Sequence, residues 1–89
     1  MTRATLPQLA YALGMVEGLL RQLPAISVIY SVQMQLEDGW TRHREDGFSI
    51  RLAGISATCD AAHPDCASVA LRNWRAAARE RLGWEMCRD

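Results

Sequence analysis

Eighty-nine residues are one domain's worth of chain, and at that size folding buries roughly 60–65% of the surface the unfolded chain exposes. Ten basic and ten acidic residues give a net charge of zero, which excludes a global field drawing the chain to DNA or an anionic membrane. A hydrophobic content of 49%, with three Trp, two Tyr and one Phe spread along the chain, excludes a disordered segment.

Every basic residue is arginine. Codon bias accounts for that, although arginine also suits bidentate contacts at interfaces. No run reaches the eighteen or so apolar residues of a membrane span. The N-terminus lacks a signal-peptide pattern, because Pro7, Gln8, Gly14, Glu17 and Gly18 interrupt it. Three cysteines are an odd number, which disfavours a secreted disulfide framework. The expected location is the cytoplasm.

In chain order, Leu6, Leu9, Leu13, Val16, Leu20 and Leu23 recur at helical spacing. Thr5 and Gln8 form a capping-box pattern at the start, and Pro24 closes the helix. Ala10, Tyr11, Gly14, Met15 and Gly18 fall outside the leucine stripe, beside Glu17 and Arg21 as an expected ion pair. Each mid-helix glycine costs about 0.8–1 kcal/mol relative to alanine, so this face is either a flat contact surface or a tolerated weakness.

From Ser27 to Leu36 the residues alternate, with Val28, Tyr30, Val32, Met34 and Leu36 on one side and only Ile29 out of place. That predicts a half-buried antiparallel strand. Glu37-Asp38-Gly39-Trp40 and Glu45-Asp46-Gly47-Phe48 repeat a hairpin signal. They predict a short middle strand over 40–45, with a mobile loop across 37–47 as the alternative. The last strand turns Phe48, Ile50 and Leu52 inward, and its parity changes at Gly54, which predicts a bulge there. A second helix is expected from about Cys66 to Leu82, capped by Asp65 and stopped by Gly83. Its inner stripe is Ala67, Ala70, Leu71, Trp74, Ala77, Ala78 and Leu82; Ser68, Arg72, Arg75 and Arg79 lie outside. The tail from Trp84 is expected to fold back over the core. The predicted fold is a single α+β domain of order α-β-β-β-α, a three-stranded antiparallel sheet with both helices on one face.

The octapeptide Cys59-Asp60-Ala61-Ala62-His63-Pro64-Asp65-Cys66 gathers two thiols, an imidazole and two carboxylates. Cys59, His63 and Cys66, with Cys87 as a fourth ligand, could hold zinc, but the segment lacks the paired knuckles of a strong zinc signal. A Cys59–Cys66 disulfide is opposed by a reducing compartment. A catalytic Cys66 activated by His63 at a helix N-terminus has no orienting partner. The favoured expectation is a plain strand-to-helix connection, with no cofactor and no metal. No nucleophile motif, phosphate loop or spaced acidic pair appears elsewhere, so no enzyme is expected.

The element order over residues 5–82 resembles that of the double-stranded RNA-binding domain. That family begins its second helix with a phosphate-clamping lysine cluster, where this chain has Asp65-Cys66-Ala67-Ser68. The run from Phe48, Ile50, Leu52 and Ile55 to Ala70-Leu71-Arg72-Asn73-Trp74 looks like the strand, turn and helix of small bacterial and phage regulators. In size and element order the chain is similar to small phage-encoded inhibitors, including some anti-CRISPR proteins. That resemblance implies a stoichiometric blocker of another protein, or of a nucleoprotein complex, with no active site. Two surfaces are candidates. Tyr11, Gly14, Met15 and Gly18 would serve a helix-to-helix contact, including a homodimer. Arg42 and Arg44 with Arg72, Arg75 and Arg79 would serve an acidic protein surface or, as the alternative and together with His43 and Arg51, a nucleic acid.

Overall fold

The computed structural model describes residues 6–36, 39–45, 47–60 and 65–86. Helix α1 spans Leu6–Leu19, α2 Ala25–Gln35 and α3 Cys66–Met86; strands β1, β2 and β3 span Trp40–Arg44, Gly47–Leu52 and Ile55–Asp60. The fold is α+β with one three-stranded antiparallel sheet in the order β1-β2-β3. The element order is α-α-β-β-β-α, which corrects the expected α-β-β-β-α.

The correction falls on residues 27–36, of which 27–35 are helix and Leu36 is its C-cap. Their sequence satisfies two periods at once. As a strand it would bury Tyr30 and Met34 and expose Ile29. As a helix it buries Val28, Ile29 and Val32, with Ala25, Ile26 and Leu36 packed beside them. Ile29, the exception to the alternation, was the sign of the helical period. Pro24 precedes α2 with φ −67° and ψ 157°, so it both ends the turn after α1 and starts α2.

Helix α1 stops at Leu19, one turn earlier than its leucine pattern predicts. A tight turn follows, in which Leu23 N donates to Leu19 O at 2.9 Å. The expected cap Thr5 lies outside the described residues. Leu9, Ala12 and Val16 are buried, and the helix packs against α2 and α3. Helix α3 starts where expected, with Ser68 N donating to Asp65 Oδ1 at 3.3 Å as an N-cap does. It then runs through Gly83 to Met86, so Gly83 is no stop and residues 84–86 continue the helix instead of turning back.

Register puts the core on one side of the sheet. Phe48 faces Cys59, Ile50 faces Ala57 and Leu52 faces Ile55 across β2 and β3; the first five of these are buried and Ile55 is packed against them. On β1, His43 and Thr41 are the cross-strand partners of Phe48 and Ile50. Directly paired residues share a face, so Trp40, Arg42 and Arg44 belong to the other side, with Gly47, Ser49 and Arg51 of β2 and Ser56, Thr58 and Asp60 of β3.

The bulge expected at Gly54 is a two-residue turn joining separate strands. Ala53 has φ 51° and Gly54 φ 79°, the double positive φ of a hairpin turn whose twist matches its strands. Ala53 accepts a left-handed backbone that costs roughly 1–2 kcal/mol while its methyl is buried. Gly47 has a different purpose. It shows no positive φ, but a Cβ there would lie 2.7 Å from the carbonyl oxygen of Cys59. That glycine exists for strand contact. On β3, Asn73 Nδ2 from α3 donates to Thr58 O at 3.1 Å.

Candidate functional site

The octapeptide divides into a strand end and a helix start. Residues 61–64, including His63, and Cys87 lie outside the described residues. Cys59 and Cys66 form no disulfide with each other and share one acceptor, the Asp60 carbonyl, at 3.4 and 2.7 Å respectively. Burial pushes the Cys59 thiol up to about 11, and the hydrogen bond and charge of Cys66 and the carboxylates of Asp60 and Asp65 push the same way. A thiol held in that state is a poor nucleophile at neutral pH. Among the described residues no group of three or more His, Cys, Asp or Glu is placed to hold a metal ion.

The α1 face is exposed where the sequence placed it. Tyr11 is 65% exposed, Gly14 and Gly18 face open space, and Met15 leans into the core. The arginine stripe of α3 is not one surface. Arg79 donates from Nε and an Nη to Glu17 Oε1 at 2.9 and 2.6 Å, so Glu17 pairs across to α3 instead of with Arg21. Arg75 is half-buried, and its Nε is buried without a hydrogen-bond partner. Arg72 is exposed.

Two features that the sequence did not announce meet at β1. The first is an apolar edge on α2. Tyr30 and Met34 lie four residues apart, hence on one side of the helix, with Met34 83% exposed. Tyr30 Oη lies 3.2 Å from His43 Nε2, and the Thr41 hydroxyl donates to Gln33 Oε1. His43 in turn meets Phe48 edge-on, ring centres 4.6 Å apart. These contacts lay α2 along β1, whose far side has no strand neighbour among the described residues. The missed signal was again Ile29: with it inside, Tyr30 and Met34 must face out.

The second feature is the sheet surface away from the core. Trp40 and Arg42 lie on it two residues apart, with the Arg42 guanidinium carbon 5.2 Å from the indole centre. Arg51 is the direct cross-strand partner of Trp40, and Ser49 of Arg42. Neither Arg42 nor Arg51 forms an ion pair with a described residue. Of the predicted arginines, Arg42 thus belongs to this face, and Arg44 holds a register position on it.

No protein-family description, curated protein or solved structure matches this chain. No helix among the described residues is long and apolar enough to cross a membrane.

Proposed function

We propose that the chain is a small non-enzymatic protein-binding module, a cytoplasmic inhibitor or regulator of the phage or mobile-element kind that acts by occupying a partner's surface. One observation carries the reading: Met34, 83% exposed, and Tyr30 stand beside the free edge of β1. Leaving a methionine in water forgoes about 1.5–3 kcal/mol that burial would supply, and a partner covering it recovers that amount. The edge adds directional contacts. Arg44 and Gly47 flank a two-residue loop, so pairing alternates and the backbone groups of Thr41 and His43 point away from β2. An incoming strand can pair with them while its side chains rest on Tyr30 and Met34.

Other features support surface action. Among the described residues none of polar or charged type is fully buried. In this reading the helices form one layer over the Phe48–Ile50–Leu52 face and leave the opposite face of the sheet uncovered. The absence of a disulfide between Cys59 and Cys66 suits a reducing cytoplasm.

The test is affinity capture from the source cells with the full chain, at low and high salt and with nuclease. A protein retained in stoichiometric amount after nuclease, and lost with Met34→Glu but kept with Arg72→Glu, is the expected result. Retention that is unaffected by Met34→Glu, or that disappears with nuclease, defeats the reading.

A further inference from the structure

We propose that the uncovered face of the sheet is a binding surface for single-stranded nucleic acid, with Trp40 and Arg42 as a base-stacking platform and Arg42 and Arg51 as the phosphate contacts. This is independent of the apolar edge on α2.

The register lays out the surface. Trp40, Arg51 and Ser56 form one row across the three strands, and Arg42, Ser49 and Thr58 form the next. Neighbours within a row sit about 4.8 Å apart. Arg44, Gly47 and Asp60 hold the third row. Among the described side chains of this face, Arg42 and Arg51 outnumber the single carboxylate of Asp60, a local excess of positive charge on a chain whose net charge is zero. The face also carries hydroxyls: Ser49 is half-buried, Ser56 and Thr58 exposed.

Charge alone would fit any polyanion. Trp40 narrows the choice. It is a large ring, 37% exposed, on a polar, cationic surface. The Arg42 guanidinium lies over the ring, its central carbon 5.2 Å from the centroid, so the pair forms one stack whose open outer plane can take a base. Unpaired bases stack on aromatic rings and on guanidinium planes, and the guanidinium N–H groups left over point to a backbone phosphate. A duplex offers no free base face to Trp40, and a three-stranded sheet is broader than the two-stranded ribbon that a major groove admits. An acidic peptide would satisfy the arginines and leave the indole idle.

Fluorescence anisotropy on the full chain tests this, with labelled oligothymidylate and oligouridylate of about a dozen nucleotides, a duplex of the same length, and an oligoglutamate peptide. The expected result is binding to the single strands that weakens with salt, at about 0.7 log units of affinity per log unit of salt for each phosphate contacted. Trp40→Ala should weaken it by about 5- to 150-fold, the weight of one stacked base. Arg42→Glu and Arg51→Gln should each weaken it and flatten the salt dependence, while Arg72→Glu and Met34→Glu leave it unchanged. Unaltered circular dichroism and melting temperature certify the fold of each variant. The proposal is overturned by no single-strand binding at low salt, by duplex binding of equal strength, or by oligoglutamate binding that Trp40→Ala does not alter. The last result would assign the face to an acidic protein instead. Because Met34→Glu separates the two surfaces, failure here leaves the protein-binding reading standing, and the reverse also holds.

Discussion

The Trp74 indole donates its Nε1 hydrogen to the carbonyl oxygen of Leu52 at 2.9 Å, with both residues out of water. Leu52 is the last residue of β2 before the Ala53-Gly54 turn, so this bond ties the middle of α3 to the point where the sheet reverses. It also satisfies the most polar atom of the largest buried side chain. Trp74→Phe keeps an aromatic ring but removes the donor and shrinks the filled volume. The expected loss is about 1–3 kcal/mol, read as a lower urea midpoint with an unchanged slope.

The glycines separate into two kinds, and alanine substitution distinguishes them. At Gly47 a Cβ would sit 2.7 Å from the Cys59 carbonyl oxygen, so Gly47→Ala must push β2 and β3 apart. Overpacking of this kind costs about 1–3 kcal/mol. At Gly14 and Gly18 nothing stands within 4 Å, and each change to alanine should raise stability by up to about 0.8–1 kcal/mol, the difference in helix propensity. Thermal melts of the three variants should therefore move in opposite directions. Sedimentation of the α1 variants adds a second readout, because a self-association that needs the small-residue face would weaken.

Cys59 predicts a pH dependence. Its thiol is raised in the folded chain from 9.0 to about 11, so the folded state holds the proton more tightly than the unfolded one. The stability it contributes is fully present below pH 9 and is lost as pH rises towards 11. Denaturation midpoints should fall over that window, and Cys59→Ala should flatten the fall while lowering stability at pH 7. Alkylation of the native chain by iodoacetamide should leave Cys59 slow at neutral pH. A pH-independent midpoint between 9 and 11 in the parent chain contradicts this account.

The elements that depend on local chemistry were readable before the fold was known. Asp65 caps α3 because its carboxylate reaches the Ser68 amide three residues on, a relationship contained in four consecutive residues. The strand over 40–45 was read from the two Asp-Gly signals and the inward set Phe48, Ile50 and Leu52 from alternation, although β1 is a border strand of the sheet and not the expected middle one. Residues 27–36 were not readable from alternation, because a run that obeys both periods is decided by what it packs on, and α1 and α3 supply a groove that favours Ile29 over Tyr30. That decision also turns Met34 outward, so the apolar edge beside β1 was hidden by the same ambiguity. On the candidate surfaces, Arg42 was found through its place near a hairpin. Arg51 was a nucleic-acid candidate as well, but its place beside Trp40 was not legible, since that partnership depends on a register eleven residues apart. The ion pair of Arg79 was not legible for a related reason: its partner Glu17 lies on α1, 62 positions earlier in the chain.

The amide of Asn73 occupies the carbonyl of Thr58, on the strand at the opposite border of the sheet from β1. With Ala53 and Gly54 forming a two-residue turn, the backbone groups of Thr58 point outward from β2, and one of them is already taken. Growth of the sheet by addition of foreign strands is thereby obstructed at one border and permitted at the other. A ribbon open at a single border can accept one guest or pair with one twin, and then it is finished; it has no second end from which a fibre could lengthen.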